Sequence, residues 1–277
     1  MTRKLAYALG FGLLLLGAAL FARDRLREDA LRGHALAAAQ RGAAWLLAHD
    51  APFEDPAIPW ILSLVNDEYC QSPALGEFVA RRFAEFDRAP HPVYPALRSG
   101  FSPAAREDGF RTFWKLWSAV SHEDDVLSAM AYGVYCDHLP MPEFVAETMY
   151  ATDAKRYVLT HQYLALLFMK RFGCAAEQRD PALRHTAQAL VAEQEDDPAF
   201  SDLYVERVAV LLHGDERSAV DPAWIETIVA SQEASGAWSD LALLGRVYPN
   251  VQNPHTTALA VWALAEHTGA CPFQNAP

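Results

Sequence analysis

The sequence predicts an all-α fold assembled from helical hairpins. Apolar residues recur at helical spacing along nearly the whole chain, and no run of alternating β-branched residues appears. One helix-end phrase also repeats at a fixed interval, the mark of stacked helix pairs. With 277 residues, 52% of them hydrophobic, the chain can bury one sizeable core and is no disordered tail.

The N-terminus is a separate object. Arg3 and Lys4 precede "LAYALGFGLLLLGAALFA", eighteen residues without a charge, and "RDRLRED" follows. At 1.5 Å per residue such a run spans roughly 27 Å, close to the thickness of a bilayer core. It exceeds a signal-peptide core of about 7–15 residues, and its small-residue cleavage candidate, Gly17–Ala18–Ala19, is mediocre. Residues 1–32 are therefore expected to form a signal anchor that partners the membrane, with a cleaved signal peptide as the alternative. Residues 33–277 form the domain. Arg23, Arg25, Arg27 and Arg32 outnumber Arg3 and Lys4, which by the positive-inside rule would keep the domain cytoplasmic. A lone apolar segment behind a short basic start is instead the usual export signal. The expectation adopted is a periplasmic or extracellular domain.

Helices are expected near 30–48, 56–68, 73–87, 110–120, 123–136, 142–151, 155–172, 181–195, 200–213, 222–232 and 255–267, each with a periodic apolar face. Ser72–Pro73, Asp221–Pro222 and Asn253–Pro254 each set a capping side chain before a proline suited to the first helical position. Gly173 follows Lys170–Arg171 and reads as a stop. The stretch 88–108, with four prolines, is expected to be an irregular loop.

Net charge is −12, and residues 1–32 carry +3, so the domain alone is near −15. A surface that acidic excludes nucleic acid as a partner, because phosphates need a basic footprint. Cys70, Cys136, Cys174 and Cys271 allow two disulfides in three possible pairings outside the cytoplasm. No CxxC occurs, which argues against a thiolate zinc knuckle.

The repeated phrase is "ALVAEQEDDPAF" (189–200) and "TIVASQEASGAW" (227–238), aligned without a gap at a period of 38 residues. Gln194 matches Gln232, and Phe200 matches Trp238. Each glutamine sits at a helix C-terminus, where orphan carbonyls need donors. Each aromatic stands where it can pack on the neighbouring unit, so the pair is expected to staple repeats together. "AAWLLAHDAPF" (43–53) is a degraded third copy.

"SQEASGAW" resembles the glutamine–tryptophan repeat of the α/α-toroid superfamily of terpenoid cyclases and protein prenyltransferases, and "HTTALAVWAL" (255–264) resembles the inner helix that follows it. The likeness covers the last 90 residues or so and implies an α/α toroid with a central cavity. A second resemblance joins "YVLTHQYLALLFMKRFGC", "DLYVERV" and "WIETIVASQ" to a family of secreted proteins of unknown function with a human thyroid-expressed member. It implies export.

Three constellations are candidates for chemistry. "SHEDDVLSAMAYGVY" (121–135) is similar to the acid motif of the protonating cyclases, which implies Asp124 as proton donor beside Asp125, with His122 in place of the first acid. The bland alternative is a capping box of Ser121 and Asp124. His255, at the start of its helix, is similar to a prenyltransferase zinc ligand, although the chain has no Asp-x-Cys pair. His161 shares a stripe with Tyr157, Leu164 and Phe168, where a hydrogen-bonded core histidine is the ordinary reading. His161, His255 and a carboxylate would suffice for zinc. The acids Asp202 and Glu206, four apart, read as a solvated face. Two functions follow: an enzyme using acid–base or zinc-assisted chemistry on a lipid-like or peptide substrate, or a non-catalytic module of the same fold that binds a small molecule or peptide or acts as a scaffold.

Overall fold

The computed structural model describes residues 2–49, 53, 55–85, 106–117, 125–239 and 253–274, without the side chains of 2–20, 24, 112, 115–117 and 125. Among the described residues there are eleven α-helices and no strand. They are α1 (Thr2–Leu47), α2 (Ala57–Val65), α3 (Pro73–Ala84), α4 (Arg106–Trp117), α5 (Asp125–Tyr135), α6 (Glu143–Met149), α7 (Tyr157–Arg171), α8 (Ala176–Asp196), α9 (Asp202–His213), α10 (Pro222–Ala230) and α11 (Pro254–Thr268). The three proline-led starts are capped as expected. Leu75 N–H donates to Ser72 Oγ at 3.3 Å, Ala223 N–H to Asp221 Oδ1 at 2.8 Å and His255 N–H to Asn253 Oδ1 at 2.9 Å.

Several element limits differ from expectation, among them the start of α8 and the end of α2. Helix α8 begins five residues before Pro181, because the buried Arg179 docks its first turn by donating to the Cys174 carbonyl at 2.8 Å. Helix α2 stops at Val65 and continues as a π-helical turn, Asn66–Cys70, closed by Gln71 in the left-handed region. Most of the proline-rich stretch 88–108 lies outside the described residues, and α4 already begins at Arg106.

Helix directions follow from contacts at opposite ends. The starts of α7, α9 and α11 meet through Tyr157–Asp202 and His255–Asp202 hydrogen bonds. Their finishes meet near Glu68, which lies 3.8 Å from Arg171 and 3.6 Å from His213. Helix α2 joins this parallel set, with Asp55 near His255 at its start and Tyr69 bonded to Glu266 beyond its end. Helix α5 does too, since the Cys136–Cys174 disulfide links the regions just after α5 and α7. The return helices run outside. Glu193, late in α8, accepts from the Arg156 N–H at the start of α7, so α8 is antiparallel to α7. Helix α1 packs antiparallel on α11, and α11 is buried on every side from Thr256 to Glu266.

The glutamine and tryptophan join α10 to α1 and α11. Gln232 Nε2 donates to the Ala38 and Gly236 carbonyls, both at 2.8 Å, while its Oε1 accepts from Arg41 Nε at 3.0 Å. Trp238 is fully buried, and its Nε1 donates to the Ile228 carbonyl at 2.7 Å. Its ring lies against Gly42 of α1, where an added Cβ would come within 2.5 Å of Trp238 Cζ3. In the other copy Gln194 accepts from Arg207 Nε at 2.8 Å, and Phe200 packs on Tyr204. The staple therefore uses a different partner in each copy.

Two disulfides close the pairing question: Cys70–Cys271 and Cys136–Cys174. Helix α1 passes the expected boundary at residue 32 without a break, and among the side chains described the first buried one is Leu31. Among the described residues no helix is long and apolar enough to cross a membrane; the side chains of residues 5–20 in the apolar run lie outside that description.

Trp238→Ala should cost about 3–5 kcal/mol, as expected for a buried large aromatic, and Gln232→Ala about 1–3 kcal/mol. Gly42→Ala should destabilise by about 1–3 kcal/mol through overpacking, although alanine is ordinarily the better helix former. Chemical denaturation of the three variants measures all of this, and a stabilised Gly42→Ala would contradict the packing described.

Candidate functional site

The parallel set brings three helix N-termini together, and a polar cluster forms there. Asp202 is the first residue of α9, after the capping Ser201, and Glu206 follows one turn later on the same face. Both are buried, at 5% and 4% exposure, which overturns their reading as a solvated face. The physical reason is that α9 is buried all round from Asp202 to Leu212, so its acids have no water to face.

Each acid meets a histidine from a neighbouring helix start. Asp202 Oδ1 accepts from His255 Nδ1 at 2.9 Å and from Thr256 Oγ1 at 2.6 Å, and Asp202 Oδ2 accepts from the Tyr157 hydroxyl at 3.2 Å. His255 Nε2 faces Asp55 Oδ2 at 3.7 Å, while Asp55 Oδ1 accepts from the Ala57 N–H and so fixes the start of α2. Glu206 Oε1 lies 2.6 Å from Thr160 Oγ1 and 3.7 Å from His161 Nδ1. His161 Nδ1 also lies 2.6 Å from the Tyr157 carbonyl, which must accept, so Nδ1 carries hydrogen and the neutral ring keeps its lone pair on Nε2. Glu206 Oε2 is buried with no hydrogen-bond partner among the described residues.

These surroundings push the two acids apart. Burial raises Asp202, but the His255 hydrogen bond and charge, with the Thr256 and Tyr157 hydroxyls, outweigh it and hold the carboxyl below its usual range. Burial raises Glu206, and His161 and Thr160 offset only part of that. Burial disfavours charge on His255, yet the hydrogen bond and charge of Asp202, helped by Asp55 and Glu206, carry its pKa up to about 9. At neutral pH the cluster therefore holds an imidazolium–carboxylate pair beside a buried acid of raised pKa. Neighbouring groups driven apart in this way are what acid–base chemistry requires. Both imidazoles remain reachable, with side-chain exposures of 27% for His161 and 24% for His255.

His161 and His255 thus gather around one pair of acids on α9. They do not belong to the convergent metal-ligand trio found among the described residues, which is Glu68, His213 and Glu266 at the other end of the same helices. His122 and Asp124 lie outside the described residues; Asp125 is the first residue of α5, and its side chain is also outside them. Between the two polar ends the middle is aromatic. Trp60 of α2 sits edge-on to Phe168 and Trp262, with ring centroids 6.0 and 6.3 Å away.

Sequence reasoning found both histidines and missed their partners Asp202, Glu206 and Asp55, together with Thr160 and Thr256, which bond the two acids of α9. A usable signal was present in "DLYVERVAVLL": a helix with apolar residues on every face must bury its charges, and buried charges need partners.

No protein-family profile, curated protein or solved structure matches this chain.

The proton on His255 has a definite sign for stability. Folding favours the protonated form, so its contribution is complete below pH 6.5 and is lost as pH rises through about 9. In an imidazole NMR titration the His255 signal should move near pH 9 in the parent and back toward 6.5 in Asp202→Asn. A parent His255 that titrates near 6.5 would contradict the pairing.

Proposed function

We propose that this chain is an exported, membrane-tethered α/α-toroid protein and an acid–base enzyme. Its centre is the twin carboxylate–imidazole cluster of Asp202–His255 and Glu206–His161. The observation that carries the reading is the placement of two reachable imidazoles on two buried acids of one helix, with different proton inventories. In this reading His161 Nε2 takes a proton from an attacking water and His255 Nε2–H gives one to the leaving group, so water adds across the bond broken. Asp202 holds His255 in its protonated orientation. Glu206 stabilises the charge that His161 acquires. The toroid assignment rests on the parallel inner helices with outer returns and on the glutamine–tryptophan staple.

The fold favours a peptide-like substrate over a lipid. Helix α1 runs antiparallel to α11, so its apolar start leaves the domain at the finishing end of the inner helices, away from the cluster. An anchor there would hold the cluster on the side facing away from the bilayer. The two disulfides and the apolar run support an oxidising, extracytoplasmic compartment. A reporter fused to the C-terminus should accordingly be active only outside the cytoplasm, and cytoplasmic activity would reverse the topology.

One observation favours a second reading, ligand binding without turnover: Trp60, Phe168 and Trp262 fill the middle of the helix set where a toroid enzyme keeps its cavity. The full chain in detergent, assayed on fluorogenic peptides and esters, separates the two. The enzyme reading expects a turnover that falls about 10²-fold or more in both His161→Gln and His255→Gln, with helicity unchanged. Turnover indifferent to both variants would overturn it, and peptide binding without turnover would establish the second reading.

A further inference from the structure

The finishing ends of the same helices carry a cluster that the acid–base centre does not use. His213 is the last residue of α9, Glu266 lies in the last turn of α11, and Glu68 sits on the π-helical turn after α2. We propose that Glu68, His213 and Glu266 form a binding site for a divalent transition-metal ion of the zinc class.

The donor geometry supports this directly. One donor atom from each residue lies within 4.8 Å of the other two. His213 Nδ1 is 2.9 Å from Glu266 Oε1 and 3.6 Å from Glu68 Oε2. A tetrahedral zinc with nitrogen and oxygen ligands at about 2.0–2.2 Å spaces its donors about 3.3–3.5 Å apart, between those two values. One nitrogen and two carboxylate donors are a set such an ion accepts, with a fourth position left for water. The ion would take the place of the hydrogen that now links His213 Nδ1 to Glu266 and bind the Nδ1 lone pair; that proton goes to solvent from an imidazolium and to Nε2 of a neutral ring.

The surroundings orient the ligands. Trp262 Nε1 donates to Glu266 Oε1 at 3.0 Å, and the Tyr69 hydroxyl donates to Glu266 Oε2, so this carboxylate is held from both sides. Arg171 approaches Glu68 through the other carboxylate oxygen, at 3.8 Å, which leaves Oε2 directed at His213. The Cys70–Cys271 disulfide fastens the turn bearing Glu68 to the segment after α11. Helix C-termini present partial negative charge, and those of α9 and α11 both end here, which favours a cation. Glu266 is buried and His213 is 11% exposed, while Glu68 is 30% exposed and offers the way in.

The test uses the full chain in detergent, stripped with a chelator and titrated with zinc, followed by calorimetry and metal analysis. One equivalent should bind the parent, His161→Gln and His255→Gln alike. Binding should weaken about tenfold or more in His213→Gln and in Glu68→Gln. Glu68 is partly exposed, so its variant should fold even if a change at Glu266 does not. No binding by the parent, or parent-like binding by both His213→Gln and Glu68→Gln, would overturn the proposal. Loss confined to the His161 and His255 variants would overturn it as well. Because the acid–base variants keep their zinc, failure of this site and failure of the acid–base reading give different results.

Discussion

Helix α9 is the constraint on which the rest depends. It is buried on every side, yet it begins with Asp202 and Glu206, contains Arg207 and ends with His213. Each of these groups would be costly in the core without a partner, so the surrounding helices must arrive in the register that supplies one. His255 and Tyr157 answer Asp202, Thr160 and His161 answer Glu206, Gln194 and Asp197 answer Arg207, and Glu266 answers His213. The apolar core supplies the cohesion. The charges of α9 select which arrangement of that core is native.

This arrangement gives the domain a polarity. Inner helices running the same way place their positive ends together at one pole and their negative ends at the other. At the first pole lie acids and imidazoles with shifted protons, and at the second an imidazole between two carboxylates. Trp60 and Trp262 separate the two, and Trp262 also reaches Glu266, so the aromatic layer is part of the second pole's scaffold. The outer helices fix the inner register through contacts such as Gln232 to Ala38, and Trp238 against Gly42.

Much of the fold was legible in the sequence, because helical periodicity and proline-led caps are local signals. The segments at 73–84, 157–171, 202–213 and 254–268 follow from those signals alone. The early start of α8 was not legible because Pro181 reads as a helix start while Arg179 reaches back to the Cys174 carbonyl, and the π-helical turn was not because Tyr69 finds Glu266 only in three dimensions. The same holds for the candidate site. His161 and His255 stand out as polar residues on apolar stripes, but nothing local marks their partners on α9 as buried, because a lone acidic pair four apart usually faces solvent. The glutamine–tryptophan phrase told of stapling correctly, whereas its partner Arg41 lies 191 residues away and carries no local mark.

The charges of α9 are paired across helices at fixed partners. A double-mutant cycle between Asp202→Asn and His255→Gln tests it most directly, by chemical denaturation of the parent, both single variants and the double variant. Direct pairing predicts a coupling energy of about 0.5–3 kcal/mol at neutral pH. Additivity within about 0.3–0.5 kcal/mol, the behaviour of independent sites, would contradict it.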